Sequence, residues 1–188
     1  MLKIFKFYET DVSKEIYEFE NKYNIKLPEL YKKFILKYNG GNTPKTSFKI
    51  NGISSDIRVF YGFRNVSKNY NFSLLMGSDY LELFINDNYL PIATDSFGNE
   101  LVICVDKDNE GKIYFFDREL NKYHHLTDSI DVFFNKVNSK KFVVRSIDER
   151  MQGLKDSGST IKVNDGLINL WQSEIDKYSG RKQEKVIL

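Results

Sequence analysis

The chain has 188 residues, a formal net charge of +2 and one cysteine, Cys104. This length suits one domain with an appendage rather than two full domains, and a single cysteine excludes an internal disulfide and favours a reducing compartment. No stretch approaches the roughly 18 apolar residues of a membrane span, and the N-terminus turns polar before a signal-peptide core could form, so we expect a soluble, cytoplasmic protein.

Two amphipathic helices are predicted near the start of the chain. Thr10 or Asp11 can cap the first helix. Its apolar residues recur at helical spacing and are Val12, Ile16, Phe19 and Tyr23. The second helix begins at Pro28, because proline suits the first helical position. Its expected buried face is Leu30, Tyr31, Phe34, Ile35 and Tyr38. Asn39-Gly40-Gly41 ends the helix, since glycine tolerates a left-handed conformation.

The middle of the chain is predicted to be mostly strand. Ser47–Ile50 and Ile57–Tyr61 form a hairpin around the turn residues Asn51-Gly52. Residues 71–86 are predicted to form a helix whose apolar residues are Leu74, Leu75, Leu81 and Phe84. Three further strands are Leu90–Ala93, Glu100–Val105 and Lys112–Phe116, separated by turns rich in Asp, Asn and Gly. The second of these is almost entirely apolar after Glu100, so we expect it to be central and covered on both faces.

The last third combines helices with polar sequence. Ser129–Val137 predicts a helix, and residues 139–162 are polar and predict a loop. Apolar residues then recur at helical spacing, namely Leu167, Ile168, Trp171, Ile175 and Tyr178. Such a helix must bury its apolar stripe on the domain or on a partner. The basic segment Arg181–Lys185 is expected to fray.

These elements divide the chain into an α+β domain over residues 1–138 and a linker with a C-terminal amphipathic helix over residues 139–188.

Motifs of common enzymes do not occur. The phosphate-binding glycine patterns and the serine hydrolase elbow are missing, so no cofactor is implied and we do not expect an enzyme. Cys104 lies in an apolar strand, where a thiol is usually inert. His124 and His125 are adjacent and would point to opposite faces of a strand, so we expect no metal site from them. A catalytic pair of carboxylates stays open, because sequence spacing cannot place two of them across a bond.

The segment Asp106–Asp117 partly matches a calcium-binding loop. It offers oxygen ligands at the first, third and fifth positions and a glycine at the sixth. Its flanks are predicted strands, whereas the calcium hand needs helices. We therefore interpret the segment as a hairpin turn and leave calcium binding open.

Acidic side chains are concentrated in the middle of the chain. Residues 76–119 carry 10 acidic and 3 basic side chains, whereas the flanking segments carry an excess of basic ones. This acidic segment predicts either a solvated side of the sheet or a contact surface for an electropositive partner. The candidate partner-binding residues are Asp106, Asp108, Glu110, Asp117 and Glu119, together with Trp171 of the C-terminal helix.

Four segments occur in an order that is typical of one family. They are Leu27–Gly41, Leu90–Asn99, the apolar strand through Val105 with the following Gly111–Glu119, and the helix containing Phe133 and Phe134. Together they resemble the SUKH superfamily of Smi/Knr-like domains over about residues 9–138. Arg118 stands where histidine is common in that family, and residues 139–188 lie outside the pattern.

The resemblance implies an α+β fold with a central, mainly antiparallel sheet flanked by helices. It also implies a function, because bacterial members largely act as immunity proteins that bind a toxin domain, commonly a nuclease, inside the producing cell. Other members are regulatory scaffolds. We therefore expect an immunity protein that occludes a cognate protein toxin and binds neither nucleic acid nor membrane. The alternatives that stay open are a scaffold that recruits a partner through Trp171 and Ile175, and a monomer or a weak dimer as the oligomeric state.

Overall fold

The computed structural model describes residues 1–7 and 11–188, so the candidate cap Thr10 lies outside the described residues. The chain forms two compact units. The larger unit comprises residues 1–140 and 183–188, and the smaller unit comprises residues 141–182.

One antiparallel sheet organises the larger unit. Its strands are β1 (Lys3–Lys6), β2 (Gly41–Ile50), β3 (Ile53–Phe60), β4 (Tyr89–Thr94), β5 (Glu100–Cys104), β6 (Ile113–Asp117), β7 (Lys122–Thr127), β8 (Asn138–Ser139) and β9 (Glu184–Lys185). The spatial order is β7-β6-β5-β4-β3-β2-β1-β9, and β8 pairs with β2. Every residue of β5 is buried, as predicted for a central strand. The predicted α+β class with a mainly antiparallel sheet is confirmed.

Helices cover both faces of this sheet. They are α1 (Ser13–Tyr23), α2 (Glu29–Tyr38), α3 (Phe72–Leu75), α4 (Asp79–Asn86) and α5 (Ile130–Lys136), with a 3-10 turn at Lys68–Tyr70. On one face, the ring of Phe34 in α2 lies 5.3 Å from Phe60 of β3 and 5.1 Å from Phe134 of α5. On the other face, Phe84 of α4 packs 5.1 Å from Phe116 of β6. No helix in the described part of the chain has the length and apolar character needed to span a membrane.

The end of α2 is fixed by close contacts with the chain that follows β3. The helix begins at Glu29, one residue later than predicted, and Pro28 immediately precedes its first turn. At the other end Asn39, rather than a glycine, takes the first left-handed conformation (φ 49°). Its side-chain amide donates to the carbonyl of Phe63 and accepts from the Phe63 N–H, both at 2.8 Å. A Cβ on Gly40 would lie 2.2 Å from the carbonyl oxygen of Tyr61, so only glycine fits there.

Residues 71–86 form two short helices, so the prediction of one helix is wrong. The break lies at Met76–Ser78, where Gly77 has φ +80° and the Ser78 hydroxyl accepts from the N–H of Leu81 at 3.3 Å. This cap starts α4 in a new direction. Leu81 and Phe84 are buried as predicted, whereas Leu74 is 61% exposed and does not belong to the core.

The C-terminal quarter differs most from expectation. Residues 147–156 form a helix, α6 (Ile147–Asp156), inside the segment predicted as a loop, because Ser146 and Glu149 make a capping box. A second helix, α7 (Asp165–Tyr178), completes the smaller unit. All residues of 141–182 are described, and none of them is buried.

The basic segment Arg181–Lys185 does not fray. Its last residues form β9, which pairs with β1, and the next residue, Val186, is 3% exposed in the core. The side-chain amide of Gln183 donates to the backbone carbonyl of Lys140 at 3.2 Å. The chain therefore leaves the larger unit and re-enters it at adjacent positions, and residues 141–182 are an insertion between two strands of the sheet.

Candidate functional site

The predicted acidic residues lie at opposite ends of β6. Asp106, Asp108 and Glu110 belong to the turn between β5 and β6, whereas Asp117 is the last residue of β6 and Glu119 lies in the turn that follows it. The five residues of β6 span about 17 Å at about 3.3 Å per residue. The structure therefore brings the first three together and separates them from the other two.

Two of these carboxylates shape the turns in which they lie. Asp106 accepts hydrogen bonds from the N–H groups of Asp108 (2.8 Å) and Asn109 (3.1 Å) and from the thiol of Cys104 (2.8 Å). The bond from the thiol and those from the N–H groups hold the pKa of Asp106 below its usual value. Asp117 accepts from the N–H of Leu120 at 2.9 Å. The segment from Asp106 thus forms the predicted hairpin turn, and its first carboxylate is occupied by donors of the turn.

The remaining acidic candidates are open to solvent. Asp108, Glu110 and Glu119 are exposed, and none of them makes an ion pair with a described residue. Across residues 1–7 and 11–188, no cluster of three or more His, Cys, Asp or Glu side chains is arranged to hold a metal ion. These three carboxylates are therefore available for contacts with another molecule.

Trp171 belongs to the smaller unit and is half-buried there. The guanidinium of Arg150 lies 5.8 Å from the centre of the Trp171 ring and 2.6 Å from the carboxylate of Glu174. A cavity of about 270 Å³ adjoins the ring and is also lined by Arg145 and Leu154. The tryptophan is thus held in place inside the insertion.

A row of aromatic rings lies on the α4 side of strands β4 to β7. In order the rings are His125, Tyr114, Tyr89, Tyr123 and Phe116, with neighbouring centroids 4.2 to 5.2 Å apart. The strand register aligns them, because Tyr114 is paired with His125 and Phe116 with Tyr123. Phe116 is buried, whereas the other four side chains are half-buried or exposed. We call Tyr89, Tyr114, Tyr123 and His125 the aromatic face.

Carboxylates border this aromatic face. The hydroxyl of Tyr123 donates to Asp87 at 3.0 Å, and Nε2 of His125 lies 3.2 Å from the Asp128 carboxylate. Burial raises the pKa of Tyr89 to about 12, and the negative charge of Asp106 adds to that shift. The face therefore combines polarisable rings with a negative rim, a combination that attracts cationic side chains.

Glu100 is a buried acid with a strongly perturbed pKa. It is 2% exposed, and its two carboxyl oxygens accept from the hydroxyls of Tyr80 (2.5 Å) and Tyr61 (3.1 Å). The Nη2 atom of Arg118 lies 3.7 Å from Oε1, and the guanidinium lies 5.7 Å from the centre of the Tyr80 ring. Burial raises the pKa of Glu100 to about 8, although the two hydroxyls and Arg118 oppose the shift.

A cavity of about 470 Å³ opens beside this cluster. Its lining includes Arg58, Tyr70, Leu75 and Phe97, and Phe97 is 83% exposed at the tip of the β4–β5 hairpin. Because both carboxyl oxygens of Glu100 are hydrogen-bonded to tyrosine hydroxyls, this buried group is not free to bind a ligand directly.

Neither the aromatic face nor the Glu100 cluster emerged from the sequence. The sequence nevertheless contains a signal for each of them. Glu100 is an ionisable residue at the head of an otherwise apolar strand, and Tyr89, Tyr114 and Tyr123 each lie on a different strand. Only the strand register shows that these residues share one face.

Comparisons with known proteins identify a family. The model of the SMI1 / KNR4 family (SUKH-1) matches residues 13–136, about two thirds of the chain. No curated protein and no solved structure matches the chain.

Proposed function

The chain belongs to the SMI1 / KNR4 family (SUKH-1), and on this basis we propose that it is an immunity protein, a non-catalytic cytoplasmic protein that neutralises a cognate protein toxin by stoichiometric occlusion. The toxin is a protein domain with a basic surface, such as a nuclease. Neither nucleic acid nor a membrane is a direct partner in this proposal.

The observation that supports this function best is the aromatic face with its acidic border. Tyrosine is enriched in the energetic centres of protein interfaces, where a rigid ring contributes contact area at little cost in conformational entropy. Tyr89, Tyr114 and Tyr123 offer three such rings side by side. Asp87 beside Tyr123 and Asp128 beside His125 supply charge at the rim, where complementarity speeds association.

Co-expression with a candidate toxin domain tests the proposal. We expect a one-to-one complex by co-purification and size-exclusion chromatography, and rescue of cells from the toxin. Binding without rescue would contradict neutralisation, and rescue by an unrelated toxin's immunity protein in the same assay would show that the readout is not specific.

Charge reversal in the β5–β6 turn is expected to slow formation of this complex. Replacing Asp108 and Glu110 by lysine should reduce the association rate about 10-fold at low salt and flatten its salt dependence, because both side chains are exposed carboxylates. Stopped-flow or biosensor kinetics at several salt concentrations measure this. Glu18→Lys on α1 is the matched control, and Glu119→Lys reports on the other end of β6. An unchanged rate in the double variant would remove this turn from the interface.

A regulatory scaffold is the second candidate function, and the insertion favours it. The two helices of residues 141–182 bury no side chain, and Leu170 is 66% exposed. In this alternative a partner covers the apolar residues of α7, including Trp171 and Ile175.

Removing the insertion distinguishes the two functions. The Gln183 side chain reaches the backbone carbonyl of Lys140 at 3.2 Å, so the two ends lie close together and a two-glycine linker can replace residues 141–182. The variant should keep the cooperative unfolding of the larger unit, since β9 and Val186 remain. An immunity protein that binds through the aromatic face keeps its toxin affinity, whereas a scaffold loses its partner. A simple truncation at residue 160 is unsuitable because it also removes the buried Val186.

A further inference from the structure

We propose that the cavity beside Glu100 is a binding site for a carboxylate group, which Arg58 and Arg118 hold between them. The site goes beyond the proposed function, since it belongs to the chain alone and requires no toxin. Its ligand is an organic carboxylate, either a free small acid or a carboxylate carried by a peptide.

The acidic groups in the cavity lining do not satisfy the two arginines. Asp95 is 4% exposed, and its carboxylate accepts from the hydroxyl of Ser55 and from the backbone and side-chain N–H groups of Asn99 at 2.7 to 2.9 Å. Its Oδ1 also accepts from the N–H of Phe97 at 2.8 Å. Both oxygens of Glu100 accept from tyrosine hydroxyls. The acidic side chains of the cavity are thus already hydrogen-bonded to residues other than the two arginines.

The arginines, in contrast, keep donors for a ligand. The 3.7 Å separation between Arg118 and Glu100 is longer than a hydrogen bond, and the Arg118 side chain is 54% exposed. Arg58 is exposed and makes no ion pair with any described residue. Two guanidinium groups of this kind at one cavity suit a carboxylate, which each can bind through two parallel N–H groups.

The geometry also favours an organic acid over a bare inorganic anion. Arg118 is held against the ring of Tyr80, so little conformational freedom is lost when a ligand binds. Leu75, Tyr70 and Phe97 give the cavity apolar walls that can contact the carbon skeleton of the ligand. The volume of about 470 Å³ lies within the range of small-molecule sites.

Glu100 sets the net charge of this site through its protonation state, because its carboxyl group lies 3.7 Å from Arg118. The charged or titratable groups around it are Tyr61, which directly follows β3, Tyr80 from α4, Arg118, and the cavity residues Arg58 and Asp95. While Glu100 is protonated, no negative charge of this residue offsets the positive charge that Arg118 presents to the ligand. Its ionisation, near pH 8, places a negative charge beside the bound carboxylate and competes for Arg118. The affinity for a carboxylate should therefore fall as the pH rises through this range.

Titration of the full-length, ¹⁵N-labelled protein tests the site through the Nε–Hε signals of its arginines. Benzoate should shift the Arg58 and Arg118 signals saturably, with a Kd on the order of 10 mM for a ligand of this size. Benzamide, its uncharged analogue, should not. Arg58→Gln and Arg118→Gln should each weaken benzoate binding at least about 10-fold, whereas Arg145→Gln in the insertion should not change it. Backbone spectra of each variant confirm its fold.

The pH dependence supplies an independent readout. For the wild type the benzoate affinity should drop between pH 6.5 and 8.5, and for Glu100→Gln it should stay constant. A linear shift without saturation, or equal shifts of the Arg145 signal, would overturn the site. Equal binding of benzamide would overturn the assignment to a carboxylate. Tighter binding of a short peptide with a free C-terminus than of benzoate, together with no binding of the amidated peptide, identifies a peptide as the source of the carboxylate. Tighter binding of benzoate than of the peptide identifies a free acid.

Discussion

Replacing Tyr114 by alanine is expected to weaken the complex with the proposed toxin about 30-fold, equivalent to about 2 kcal/mol of binding free energy. Tyr114 is half-buried at the middle of the aromatic face, with the rings of Tyr89 and His125 5.1 and 5.2 Å away. Truncation removes the contact area of the ring and leaves its neighbours without lateral support, so the loss should appear mainly in the dissociation rate. Isothermal titration calorimetry and biosensor kinetics measure both quantities.

Tyr17→Ala is the matched control for this prediction. Tyr17 is 64% exposed on α1 and lies outside the aromatic face, so its truncation should leave the affinity unchanged. Thermal unfolding of both variants shows whether the loss of binding reflects a loss of folding. Equal affinities of the two variants would exclude the aromatic face as the centre of the interface, while the charge-reversal kinetics would still report on the β5–β6 turn.

Helical periodicity and turn chemistry were sufficient to predict much of the larger unit. The stripe through Tyr31, Phe34 and Ile35 faces the core in α2, because helical spacing alone decides which side chains share a face. The strands β4, β5 and β6 were predicted within two residues, since Asp, Asn and Gly mark both intervening turns.

The elements that were missed lack a strong local signal. β1 and β9 are short strands. β1 pairs with β2 on one side and with β9 on the other, and the paired residues lie far apart in the sequence. β7, which contains both histidines, is an edge strand of mixed composition. The helix α6 has little apolar periodicity, and its capping box is the main local signal for it. Whether such segments form strands depends on long-range pairing more than on the strand propensity of their residues.

The candidate site was predictable only in part. Composition indicated that acidic side chains cluster in residues 76–119, but it could not separate those that shape turns, such as Asp106, from those left open, such as Asp108. It also could not show that one acid of this segment, Glu100, is buried among tyrosines. The distinction depends on strand register, because a shift of one residue moves a side chain to the opposite face of the sheet.

Glu100→Gln is expected to make the protein less sensitive to alkaline pH. The pKa of Glu100 is about 8 in the folded chain against a usual value of 4.5, so the unfolded chain releases this proton at a lower pH than the folded chain. The free energy of unfolding of the wild type therefore falls with rising pH between about 4.5 and 8, by up to about 1.4 kcal/mol per pH unit from this group. Glutamine carries no charge and keeps an acceptor for Tyr80 or Tyr61. The stability of the variant relative to the wild type should accordingly increase by about 3 to 4 kcal/mol from pH 5 to pH 8.5.

Urea unfolding of both proteins at pH 5, 6.5 and 8.5 measures this difference, and other titrating groups such as Glu20 cancel between them. Glu110→Gln, which replaces an exposed carboxyl on the same segment, is the control variant. Parallel profiles for Glu100→Gln and the wild type would mean that Glu100 is ionised in the folded protein and pairs with Arg118 at 3.7 Å. The negative charge of Glu100 would then offset the charge of Arg118 at every pH tested, and the fall of benzoate affinity between pH 6.5 and 8.5 should vanish as well. The unfolding and titration experiments thus test the same protonation state by two separate routes.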